Sequence, residues 1–281
     1  MFMLRETGSE FGALAPAPTC KTTAKVRTLF LSDLHLGAAG SRADLALQLL
    51  HATPAQKYVL VGDILDLWHP GPSRWGAAEQ AVVDFIYARH KAGAEIVYIS
   101  GNHDNDPQAS LATCLLPVGA QKQFVHITAD DRQLLVVHGD RADRAWMRSL
   151  LLTHTGAWLE RNLRLIDQNL RRFSSRSPKS HRSVIEGVLF AFNLLLCTLR
   201  NHESLLVELA RKAGCDGVIC GHFHQPALHQ RDGLIYGNCG DWRDNFTALA
   251  ERHDGTLSLI GGRSAMPVKV RAYGSVLEVC A

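Results

Sequence analysis

Five short polar clusters punctuate this 281-residue chain, and each follows a run rich in Val, Ile or Leu or closes one. They are Ser32-Asp33-Leu34-His35, Gly62-Asp63, Gly101-Asn102-His103-Asp104, His138-Gly139-Asp140 and Gly221-His222-Phe223-His224. Their donors are carboxylate and amide oxygens and imidazole nitrogens, with no thiolate, a set that suits Mn, Fe or Zn. Residues i and i+2 of an extended chain point to one side, so Asp33 with His35, and His222 with His224, are expected to converge. A carboxylate has two oxygens and can bridge two cations. Two such ions about 3.5–4 Å apart lower the pKa of a water between them and clamp a phosphoryl group. The glycines at 62, 101, 139 and 221 fit tight turns that let backbone approach a small anion. Taken singly, each Asp or His is most simply a turn residue or a hydrogen-bonded partner. Five clusters in order make ligation the better account.

The elements that must position these clusters are short apolar runs at 26–31, 58–61, 96–99, 134–137 and 218–220, which read as buried strands. Residues 43–50 and 77–89 carry apolar side chains at helical spacing, and the alternation argues for an α/β layered sheet. Ligand sites in such sheets assemble at strand ends. Beyond His224 the runs shorten to 228–229, 234–236, 246–250 and 257–260, separated by turns such as Arg231-Asp232-Gly233 and Asp254-Gly255, and these read as antiparallel strands. The interval 141–213 is helical in pattern and is expected to be an insertion carried by the sheet domain. Residues 1–25 read as a flexible leader, and 26–281 as one domain with that insertion.

Hydrophobic residues make up 46% and charged residues 20% of the chain, as in ordinary globular proteins. Seven irregularly spaced cysteines with no Cys-x-x-Cys pair argue against a disulfide framework or a structural zinc site and favour a reducing compartment. Cys220 and Cys239 are expected to be buried small residues. The charge is uneven: segment 141–182 has ten basic and three acidic residues, a net +7, in a chain that totals +3. The apolar run 184–199 follows, interrupted by Glu186 and Asn193 and short for a membrane span. A basic face beside an apolar one suits an anionic lipid substrate and contact with an anionic membrane surface. A solvated arginine face over an ordinary core helix fits equally well. The segment lacks the interleaved aromatics that stack bases, so nucleic acid is not the expected partner.

Asp-x-His, Gly-Asp, Gly-Asn-His-Asp, His-Gly-Asp and Gly-His-x-His, in this order from Asp33 to His224, resemble the signature of the calcineurin-like metallophosphoesterases. The resemblance implies a layered αββα sandwich from about 26 to 260, with the helical insertion as a lid. It assigns Asp33, His35 and His224 to one divalent ion and Asn102, His138 and His222 to a second, with Asp63 bridging. It makes His103 the acid or charge-stabilising residue, oriented by Asp66, while Asp104, Asp140 and Asp143 are supporting or turn residues. The segments 62–68 and 236–242 are similar to the branch containing UDP-2,3-diacylglucosamine pyrophosphatase, which releases UMP and a lipid phosphate in lipid A synthesis. That branch implies manganese, a lipid-linked substrate and a cytoplasmic protein peripheral to the inner membrane. His103 departs from it, since the lipid A enzymes carry Arg there. A phosphodiesterase or phosphatase on nucleotides or other soluble phosphoesters is therefore the alternative, and a catalytically silent scaffold a third.

Overall fold

The computed structural model describes residues 25–66, 75–104, 115–140 and 202–263, with single positions 162, 166 and 187. The expected leader up to residue 24, the basic segment 141–182 (apart from 162 and 166) and the apolar run 184–199 (apart from 187) lie outside the described residues.

Two sheets stack face to face. The first has the order β11-β10-β1-β2-β3-β4, in which β1 (Val26–Leu31), β2 (Ala55–Val61), β3 (Glu95–Ile99) and the short β4 (Ala120–Gln121) run parallel. Strand β10 (Thr247–Glu251) adds to β1 antiparallel, and β11 (Leu257–Gly261) adds to β10 antiparallel. The second sheet has the order β5-β6-β7-β9-β8. Its parallel centre is β6 (Gln133–Val136), β7 (Gly217–Cys220) and β9 (Leu234–Asn238), flanked by the antiparallel β5 (Phe124–Ile127) and β8 (Ala227–Arg231).

Alternation along the strands builds three apolar layers. Phe30, Val59, Val61, Ile99, Leu134, Val136, Ile219 and Leu249 meet between the sheets. Leu29, Leu31, Tyr58, Leu60 and Tyr98 face the other way, onto helices α1 (Ala43–Ala52) and α2 (Ala77–Lys91). On the far side Leu135, Val137, Val218 and Cys220 pack under α3 (His202–Lys212). Strands buried on both faces must be apolar at every position, which is why they read as continuous runs. The result is the expected αββα sandwich. Of the interval expected to be helical, α3 is the described element, and it leads into β7, which lies parallel to β6. The expected strand starting at Phe246 begins one residue later, because Phe246 has a positive φ of 62°. Strands β4 and β5 were not expected. The first is two residues long, and the second presents Val125 and Ile127 outward, so neither shows a buried run. Among the described residues no helix is long and apolar enough to cross a membrane.

Candidate metal centre

Asp33, His35, Asp63, Asp66, Asn102, His103, His138, His222 and His224 lie at the same end of the sandwich, past the carboxyl ends of β1, β2, β3, β6 and β7, while Asp143 lies outside the described residues. The strands' pairing continues into the loops there. Asp33 N donates to Gly62 O (3.0 Å), His35 N to Asp63 O (2.9 Å) and Gly221 N to His138 O (2.9 Å).

The convergence of Asp33 with His35, and of His222 with His224, does not come from extended backbone as expected. Asp33, His35, Asp63, His222 and His224 all sit in the left-handed region, with φ of 53°, 45°, 52°, 69° and 52°. Such residues cost of order 1 kcal/mol or more each and persist where the surroundings over-determine them. Of the four glycines expected at tight turns, Gly62 and Gly139 have positive φ, 80° and 118°. What crowds Gly101 is the carboxylate of Asp63, and what crowds Gly221 is Ser32 and the carboxylate of Asp33, each inside the space a Cβ would need. These two glycines make room for the side chains of Asp63 and Asp33.

The side chains form two groups. Asp33, His35 and His224 offer donor atoms within 4.8 Å of one another, and so do Asp63, His138 and His222. In the first, His224 Nε2 lies 3.1 Å and His35 Nε2 3.7 Å from Asp33 Oδ1. In the second, His138 Nε2 lies 3.2 Å from Asp63 Oδ2. The same Asp63 oxygen is 3.9 Å from His35 Nε2, so one carboxylate stands between the groups. Asn102 lies between Gly101 and His103, and the His103 N–H donates to Asp63 Oδ1 (2.8 Å). Asp66 Oδ1 is 3.0 Å from His103 Nδ1, and its other oxygen lies 3.9 Å from His35 Nδ1. Asp104 accepts the N–H groups of Asp63, Leu65 and Gly101 at 2.7, 2.9 and 2.9 Å, which fits its expected supporting place. Burial and the neighbouring Asp63 charge push its carboxyl up to about 6.

Whether these residues fit cations can be judged from the polar atoms left over. His35 Nδ1 and Nε2, His138 Nε2 and Asn102 Oδ1 are buried without a hydrogen-bond partner. An unsatisfied buried polar atom costs about 1–3 kcal/mol, so several together at one place call for a ligand. The Nδ1–H of His138 donates to the Val61 carbonyl (3.0 Å), which leaves the Nε2 lone pair for a cation. Burial keeps His35 below the ordinary imidazole range, neutral and able to ligate. Burial also opposes charge on His138, yet the Asp63 carboxylate outweighs it and holds the ring well above that range. A divalent ion would replace that proton as the neutralising charge. The donor set is oxygen and imidazole throughout, and it fits divalent metals.

A further group, His224, Asp241 and Asp244, also brings donor atoms within 4.8 Å. It is closed by hydrogen bonds: Asp241 Oδ1 accepts the N–H groups of Arg243 (2.8 Å) and Asp244 (2.5 Å), and Oδ2 accepts from Asn245 (2.5 Å). Arg243 is buried and donates to Ala39 O (3.1 Å); its positive charge adds to burial in lowering His35, and at His103 it opposes a rise that Asp63 and Asp66 dominate. Neither it nor Asn245 carried a motif, because their partners are far away in sequence. Cys220 and Cys239 are buried, with the Cys220 thiol pushed up to about 12 by burial, so they are packing residues as expected.

The family model for Calcineurin-like phosphoesterase matches residues 26–226. UDP-2,3-diacylglucosamine hydrolase of Haemophilus influenzae (strain PittGG) is 26% identical over 240 residues, 78% of this chain and 92% of that protein. The protein of the same name from Chromohalobacter salexigens is 27% identical over 237 residues, 77% of this chain and 89% of its own. Among solved structures, the phosphoesterase Yfce from E. coli aligns with a TM-score of 0.46 and 16% identity, covering 86% of this chain and 97% of that one. With a matched span of that length laid over the strand-end cluster of Asp, Asn and His, the chain belongs to the calcineurin-like phosphoesterases and is a metal-dependent phosphoester hydrolase.

Proposed function

We propose that this hydrolase cleaves the pyrophosphate of UDP-2,3-diacylglucosamine to UMP and a lipid phosphate, using a pair of manganese ions. The observation that carries the two-ion part is Asp63 Oδ2, within 4 Å of a histidine from each group, His35 and His138. On this reading Asp33, His35 and His224 would hold one ion and Asn102, His138 and His222 the other, with Asp63 available to both. When bound, the ions supply an activated water and neutralise phosphoryl charge. The chain's own residues do the rest. Asp66 holds His103 through Nδ1, which fixes the ring and leaves Nε2 as the nitrogen that can give a proton to the leaving oxygen. Burial opposes a proton on His103, but Asp63 and Asp66 outweigh it and raise the ring above the ordinary range, as an acid at neutral pH requires.

The substrate is supported by relatives bearing the hydrolase name over more than three quarters of this chain. The net +7 of segment 141–182 beside the apolar run 184–199 would suit an anionic lipid and a place on the cytoplasmic face of the inner membrane. The test is turnover of UDP-2,3-diacylglucosamine with manganese, read as UMP release, beside a panel of small phosphodiesters. Release of UMP is the expected result, and hydrolysis of the small esters alone would overturn the substrate. One observation favours that second outcome. The His103–Asp66 pair is a general proton donor suited to any phosphoester.

A further inference from the structure

The loop joining β9 to β10 crosses from the second sheet to the first, and it contains part of the 236–242 segment that the proposed chemistry leaves without a task. Four of its hydrogen bonds end on the ligand-bearing loops. Trp242 N donates to Asp33 O (3.1 Å), and Ser32 Oγ lies 3.0 Å from Gly240 O and 2.5 Å from Asp33 Oδ2, its one hydrogen shared between the two acceptors. Asn238 Nδ2, at the end of β9, donates to Gly221 O (3.1 Å), and Asn245 Nδ2 donates to His224 O (2.8 Å). The same Asn245 amide gives its second hydrogen to Asp241 Oδ2. Asp241 is fully buried and Asn245 nearly so, at 0% and 8% exposed.

We infer that Asp241 and Asn245 are positioning residues for the ion assigned to Asp33, His35 and His224, an inference that rests on the two-ion reading above. His224 occupies a left-handed backbone conformation, φ 52°, which is uncommon outside glycine and persists where the surroundings hold it. The grip is its carbonyl, taken by one Asn245 N–H while the other N–H is taken by Asp241. A carboxamide offers two donors from one nitrogen, and a carboxylate or a methyl group in its place offers none. Asp241 is itself locked by the N–H groups of Arg243 and Asp244, so the chain Asp241–Asn245–His224 fixes the ligand loop from a turn of the first sheet's entry. Its effect is to assemble the Asp33–His35–His224 group before a cation arrives.

The test uses the full chain loaded with manganese and challenged with chelator at a level that leaves two ions on the wild type. Metal content and the electron paramagnetic resonance spectrum are read, together with urea unfolding of the metal-free protein. Asn245→Ala should lose about 10–100-fold in affinity for one ion, in the range for residues that orient ligands, and show the six-line spectrum of isolated manganese in place of a coupled pair. The exchange D241N/N245D puts a donor at 241 and an acceptor at 245, so it restores the bond between those two residues but offers nothing to His224 O. Metal-free stability should return toward wild type while the second ion stays weak. Asn245→Ser serves the same comparison if the alanine variant does not fold. Two ions held by Asn245→Ala at wild-type affinity would overturn the inference. So would recovery of the second ion together with stability in the exchanged pair, since the role would then be folding alone. A wild type that never shows a coupled pair would sink the two-ion reading itself, and the inference with it.

Discussion

Two buried polar clusters share strand β1, and they use their hydrogen-bonding capacity in opposite ways. Around Glu251, at the end of β10, every carboxylate lone pair has a donor. Oε1 accepts from Arg27 (2.6 Å) and from Ala129 N (2.7 Å), and Oε2 from Thr28 Oγ1 (2.6 Å) and His126 Nε2 (2.8 Å). These bonds tie β1 and β10 of the first sheet to β5 at the edge of the second. Around Asp63, just past the end of β2, a larger gathering of Asp and His leaves four polar atoms of His35, His138 and Asn102 without hydrogen-bond partners. One ring nitrogen of His126 is the only such atom in the Glu251 group. Both central carboxylates are buried, Glu251 at 0% and Asp63 at 2% exposed. What separates a structural cluster from a ligand site is the number of lone pairs that folding leaves unanswered.

The sharpest way to break this contrast is to remove each cluster's central carboxylate. Asp63→Ala should abolish turnover and empty the metal pair, measured by phosphoester hydrolysis and metal content. A variant that kept both ions and its activity would erase the distinction. His103→Ala tests a smaller step within the open cluster. Its rate should fall about 10²–10⁴-fold, the usual worth of a positioned proton donor, with both ions retained. Loss of metal equal to that of Asp63→Ala would make His103 a ligand instead.

The closed cluster should answer in stability alone. Glu251→Gln exchanges an acceptor for a donor facing Arg27, Thr28 or His126, and should cost about 1–3 kcal/mol by urea unfolding with metal binding unchanged. Its pH dependence follows from the Glu251 carboxyl. Burial would raise it, but the hydrogen bonds from His126, Thr28 and Ala129 outweigh burial and lower it from 4.5 to about 2. The folded value is the depressed one, so this contribution is complete above about pH 4.5 and drains away as pH falls toward 2. Wild-type stability should slope downward through that window, on the order of 3 kcal/mol in all, and Glu251→Gln should flatten the slope. An unchanged slope would mean that Glu251 is not held by these partners.

Much of the site was legible because its signals are local. A strand buried on both faces must be apolar throughout, and Asp33, Asp63, Asn102, His138 and His222 each follow such a run within a few residues. The supporting residues were not legible. Asn245 lies 21 residues from His224, whose carbonyl it holds, and Glu251 lies 125 residues from His126. Nothing in a neighbouring stretch of chain marks either pair. The backbone expectation failed for a related reason. An i, i+2 pair of ligands looks extended when the chain is considered alone. The left-handed conformations at Asp33, His35, His222 and His224 exist because loops from other strands take up their N–H and C=O groups.

By itself, the sequence determined which donor atoms this protein brings together and at which strand ends, since side-chain type and apolar periodicity are properties of short segments. Tertiary structure alone decided which of those atoms stay unsatisfied. Asp33 meets His224 across 191 residues and Asp63 stands between His35 and His138, and such meetings follow from the stacking of two sheets, which brings distant loops to one edge of a shared core.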